Sequence, residues 1–120
     1  MTQGKRAVRV GDLILKEIAF LLLERVKDPR VQGVTLTGVQ LGNDLKRARV
    51  YFSVIGEKER IAEALAGLNS ARGFIKREIG TRMKLRYVPE ILFEHDTSLE
   101  AGYHMEQVFD EIRKSEKGSA

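Results

Sequence analysis

The chain has no cysteine. That removes a disulfide framework, a thiolate nucleophile and every cysteine-based metal motif, and it suits a reducing compartment. Its two histidines, His95 and His104, match no recognised ligand spacing, so no metal site is expected, and no other cofactor either. Long apolar runs are also missing. The longest, at 18–23, has six residues and charges on both sides, whereas a membrane-crossing helix needs about 20. No secretory signal is recognisable, and a cytoplasmic location away from membranes is expected. No glycine-rich stretch matches a nucleotide-binding loop. None of the five serines, Ser53, Ser70, Ser98, Ser115 and Ser119, stands in a nucleophile elbow. The expectation is therefore not an enzyme, with no catalytic residues assigned. A small α/β enzyme whose residues converge from distant positions remains an alternative.

What the chain does have is charge, unevenly spread. The 120 residues fit one compact domain, 1–120, with a short polar tail at about 114–120. Net charge is +4. Residues 1–44 carry 7 basic and 5 acidic groups, residues 45–90 carry 11 and 5, and residues 91–120 carry 3 and 7. A basic middle beside an acidic end fits a face made for a polyanion. An ordinary solvated surface with uneven charge fits the same counts.

Periodicity predicts the elements. Val10, Ile14, Ile18, Leu21 and Leu22 recur at helical spacing over 8–27, widened by Leu13, Phe20 and Val26. Core packing is the expected role of this stripe, with partner binding as the alternative. Pro29 stops the helix by disfavouring helical geometry at Asp28. Residues 34–41 read as a strand whose phase slips near Gly38, a bulge signal. After a turn at 42–44, residues 46–55 alternate: Ala48, Val50, Phe52 and Val54 face one way, Arg47, Arg49, Tyr51 and Ser53 the other. A helix opens at 57 and buries Ile61, Ala64, Leu65 and Leu68; Ile75, Ile79 and Met83 form a second stripe. Residues 87–94 read as a third strand with Tyr87, Pro89, Ile91 and Phe93 on one face. Pro89 cannot donate to a ladder, which puts it at an edge or at the strand's start. Thr97 and Glu100 form a capping box for a last helix with Met105, Val108, Phe109 and Ile112 on its apolar side.

Between the two middle stripes lies Ala71-Arg72-Gly73. Glycine costs about 1 kcal/mol against alanine inside a helix. A tolerated defect, close packing and a kink all account for Gly73, and Gly80 reads as tolerated. A kink would start a new helix, with Ser70 as its cap or turn residue, and would offer free N–H groups to phosphate. Arg72, Lys76, Arg77, Arg82, Lys84 and Arg86 would then extend a cationic track. Lys46, Arg47 and Arg49 form a second candidate patch, read equally well as solubilising charges on a strand. Tyr51 shares their face and is a weaker candidate for stacking.

The predicted order is α-β-β-α-(kink)-α-β-α, an α+β fold with helices on one face of a three-stranded sheet. It resembles the KH-like type II fold, with the usual G-x-x-G loop replaced by Ala71-Arg72-Gly73. With "RVGDLILKEIAFLLLERVKDPRV" before it and "LRYVPEILFEHDTSLEAG" after it, the chain resembles the ribosome-binding factor A family from about Arg6 to about Ile112. The resemblance implies a monomeric cytoplasmic assembly factor that binds the small ribosomal subunit and its RNA late in maturation. It also implies help in processing the 5′ end of that RNA, an association with growth in the cold, and no catalysis. It places RNA contacts at Ala71, Arg72 and Gly73 and at the basic residues that follow. Recognition of folded RNA by shape and charge follows from the missing G-x-x-G. A general RNA-binding module with another target is the alternative.

Overall fold

The first apolar stripe forms helix α1 (Lys5–Glu24) in the computed structural model, which describes residues 4–98. Ile14, Ile18 and Leu21 are fully buried along it, at the i, i+4, i+7 spacing of one helical face. Leu13 and Phe20, expected to widen that face, stay largely exposed. The chain then turns through a short 3₁₀ segment (Pro29–Val31), capped by the Asp28 carboxylate, which accepts the Arg30 N–H at 2.9 Å.

Strand β1 (Thr35–Leu41) pairs antiparallel with β2 (Arg47–Ser53). Leu36 stands opposite Phe52 and Gly38 opposite Tyr51, so Thr37 is the extra residue of the expected bulge. Strand β3 (Glu90–His95) lies on the other side of β2 and runs parallel to it, with Ile91 opposite Ala48 and Phe93 opposite Val50. The sheet order is β1-β2-β3, mixed, with β2 at its centre. Pro89 stands just before edge strand β3, where its missing N–H costs the ladder nothing. Alternation then sorts the faces. Ala48, Val50, Phe52, Ile91 and Phe93 are buried in one core with Ile14, Ile18 and Leu21 of α1. Arg47 and Arg49 are exposed on the opposite face.

Helix α2 (Lys58–Met83) corrects the predicted kink, because it is a single helix that passes through Ala71-Arg72-Gly73 without interruption. The physical reason lies in its buried stripe. Ala64, Leu68, Ile75 and Ile79 are all fully buried, at spacings of four, seven and four residues. That phase is continuous, so breaking the helix would expose part of the core. The roughly 1 kcal/mol that one glycine costs is small against that burial. Only the first four N–H groups of a helix lack intrahelical partners, so Arg72 and Gly73 have no free amides to offer. Ser70 is not a cap either; it accepts a hydrogen bond from Arg30 Nη2 at 3.3 Å. The predicted two middle helices are thus one, giving an α+β arrangement of two helices and a three-stranded sheet among the described residues. The last helix expected after Thr97, including His104, lies outside them.

The glycines of α2 differ in what they permit. A Cβ on Gly67 would stand 2.8 Å from Arg30 Cβ and 2.9 Å from Val31 Cγ1, so the 3₁₀ turn seats against α2 only over a bare backbone. Arg60 reinforces that seam by donating to the carbonyls of Arg30 and Gln32. Gly73 is exposed, and a Cβ there would meet only Arg77 Nη1, at 3.8 Å. Gly73→Ala should therefore raise stability by up to about 1 kcal/mol, while Gly67→Ala should lower it by roughly 1 kcal/mol or more. Urea unfolding of the two variants checks the contrast, and the opposite ordering would refute this assignment of the two glycines.

Candidate nucleic-acid interface

The two candidate basic patches meet at Glu90. This residue starts β3 and stands opposite Arg47 of β2 in the parallel register. Lys76 reaches it from α2, with Nζ 3.0 Å from Glu90 Oε2. The Lys76 hydrogen bond, then its charge, hold the Glu90 carboxyl below the usual range against a smaller opposing desolvation; Arg72 and Arg47 add the weakest contributions. One carboxylate thus lies within the field of three cations, two from the helix and one from the strand. The acid fixes Lys76 and leaves a local excess of positive charge. Sequence reasoning missed Glu90 because it read the strand for its apolar face alone.

The remaining cations separate by whether an acid already satisfies them. Lys46, Arg47, Arg72, Arg77, Lys84 and Arg86 have no carboxylate within ion-pair distance among the described residues. Arg49 is paired with Glu94 at 3.6 Å. A hydrogen bond with Tyr51, and next the Glu94 charge, raise the Arg49 pKa further. Arg82 departs from the expected track. It turns to α1, where it pairs with Glu17, and its guanidinium carbon lies 4.5 Å from the Phe20 ring centre. Exposed Phe20 is therefore the landing site for a cation that ties the two helices together.

The helical repeat also divides the track. Arg72 and Lys76, four residues apart, share the flank of α2 that faces Glu90. Arg77 lies about 100° further round, and its guanidinium folds back toward Gly73. Ala71 is half-buried and packs on the core, so it is placed as scaffold. Lys84 ends α2 in the left-handed conformation, φ 53°. A residue with a Cβ is disfavoured there by about 1–2 kcal/mol. Arg86 and Tyr87 project from the connection that follows. Tyr87 was expected to share a face with Ile91 and Phe93; those two are buried, yet Tyr87 is 78 % exposed. The strand begins three residues later than its alternation suggested, at Glu90.

This arrangement suits contacts to phosphate oxygens, which position a protein on RNA without reading its sequence. No group of three or more metal-ligating side chains converges among the described residues, and none of their helices is long and apolar enough to cross a membrane.

Comparisons with known proteins agree on one family. Residues 6–109 match the family model described as ribosome-binding factor A. The chain is 48% identical over 117 residues to ribosome-binding factor A of Syntrophus aciditrophicus, covering 98% of this chain and 95% of that one. It resembles the solution structure of a Thermotoga maritima protein assigned as a ribosome binding factor A, at 32% identity and TM-score 0.67, covering 78% of this chain and 90% of that one. Its fold also resembles a model of the Thermus thermophilus ribosome binding factor A fitted into a cryo-EM map of a 30S complex. There the identity is 22% and the TM-score 0.63, covering 76% of this chain and 96% of that one. With nearly its whole length matched by the family model and by relatives close to half identical, this chain belongs to the ribosome-binding factor A family.

Proposed function

We propose that this protein binds the small ribosomal subunit late in its maturation and docks on its RNA through the cations gathered around Glu90. Binding there aids processing of the 5′ end of the small-subunit RNA, in the cytoplasm and with particular weight during growth in the cold. The observation that carries this reading is the convergence of Arg72, Lys76 and Arg47 from two elements on one carboxylate, with Arg77, Lys84 and Arg86 nearby in sequence and without an ion-pair partner among the described residues. The 30S-bound Thermus relative supports the choice of partner.

The mechanism is binding rather than chemistry on the protein. A ligand that favours one arrangement of immature RNA shifts the population toward it, by no more than its difference in affinity for the two states. We read the helix–sheet layout as a single KH-like domain in which the unbroken α2 takes the place of a G-x-x-G clamp. Such a surface recognises folded RNA by shape and charge. Equilibrium binding of the full chain to purified bacterial small subunits, large subunits and tRNA tests the reading. Binding to small subunits alone is the expected result. Equal affinity for tRNA would replace it with a general RNA-binding module.

A further inference from the structure

The connection between α2 and β3 offers a kind of contact different from charge. It is built as two anchors around two presented residues. Leu85 and Val88 pack against the core, and Pro89 is buried. A Cβ on Gly80 would lie 2.9 Å from Val88 Cγ2, so the absent side chain of Gly80 makes room for the second anchor. Between them, Arg86 and Tyr87 turn outward. The Arg86 guanidinium carbon is 5.5 Å from the Tyr87 ring centre.

The other two cation–aromatic pairs among the described residues are internally satisfied. Arg25, against Phe74, also pairs with Glu78, and Arg82, against Phe20, also pairs with Glu17. Both tie α1 or the residue after it to α2. Arg86 has no carboxylate partner among the described residues, and its ring is the most exposed aromatic there. Apolar ring surface left in water forgoes a favourable burial. An open ring beside an uncompensated guanidinium suits a nucleotide, because the ring accepts a base by stacking and the cation meets its phosphate.

Building on the small-subunit reading, we propose that Tyr87 is a stacking platform for one unpaired base of the small-subunit RNA, with Arg86 held at the neighbouring phosphate. The anchors make the platform rigid, so little ordering entropy is lost on binding. Any base has a stacking face, so this contact selects unpaired over paired RNA and does not select sequence.

Stacking and charge respond differently to salt, and this gives the test. Tyr87→Ala should weaken binding to small subunits about 5- to 150-fold with an unchanged salt slope. Arg86→Ala should make the slope shallower by about one phosphate contact. Tyr87→Phe, which keeps the ring, should bind like the original. All three substitutions fall at the two exposed positions, 86 and 87, and their thermal unfolding should match the parent. A second arm uses an unpaired uridine 12-mer and the same strand with abasic sugars. The parent should prefer the strand with bases, and Tyr87→Ala should lose that preference. Unchanged affinity of Tyr87→Ala in both arms overturns the platform, as does a Tyr87→Phe loss as large as that of alanine. A parent that shows the base preference but does not bind small subunits leaves the platform standing and overturns the small-subunit reading.

Discussion

Phe52→Ala should lower the unfolding free energy by about 3–5 kcal/mol. Phe52 is the largest of the fully buried side chains and lies on β2, the central strand. Its backbone is fixed on both sides, opposite Leu36 on β1 and His95 on β3. The His95 ring meets it edge-on, with centres 5.6 Å apart and planes at 61°. Removing the ring takes away its transfer free energy and leaves a cavity that a strand held from two sides closes poorly. Domains of this size have roughly 5–15 kcal/mol of stability in total, so the variant should be partly unfolded at physiological temperature. Urea unfolding measures the loss as a lower midpoint with an unchanged slope. A loss below about 1 kcal/mol would show that Phe52 is not at the centre of the core. Phe20→Ala, on a ring 41 % exposed, should cost clearly less, chiefly the contact with Arg82.

Replacing Arg47, Arg72, Arg77 and Arg86 together with Gln should weaken small-subunit binding by roughly two orders of magnitude at about 0.15 M salt. The same change should make the log–log salt slope shallower by nearly 3, at about 0.7 for each contact to unpaired RNA. The prediction rests on which cations are already neutralised. These four have no acid within ion-pair distance among the described residues, so phosphate meets them without displacing a partner. Arg82 is the control. It pairs with Glu17 and covers Phe20, so Arg82→Gln should leave the slope unchanged and act on helix packing instead. Lys76, equally prominent in the sequence, is a poorer probe because its removal would also release the Glu90 carboxylate from its hydrogen-bonded partner, changing two charges of the interface at once. Equal slopes for the parent and the fourfold variant would remove these residues from the RNA contact.

Much of the fold was legible in the chain because the relevant signals are local. The stripe of α1, the alternation of β2 and the slip that became the Thr37 bulge depend only on which residues recur at period 3.6 or 2. The same rule, applied further, shows why the kink was not needed. Ala64, Leu68, Ile75 and Ile79 stay in one phase through Gly73. A true break would have reset that phase, and attention to the glycine obscured it. Tyr87 misled for a related reason. Alternation can be carried past the end of a strand on paper, but the first sheet residue is set by pairing with β2, which begins at Glu90.

The sequence by itself determined helix α1, the three strands and their order, the family and the set of cations that are candidates for RNA contact, but divided α2 into two helices. Each follows from residue type and short-range spacing. Only the tertiary structure decided which of those cations are free. Arg82 is paired with Glu17, 65 positions away, and Lys76 with Glu90, 14 positions away. Ion pairing acts through space over a few ångströms, and that distance exists only once the helices have packed on the sheet.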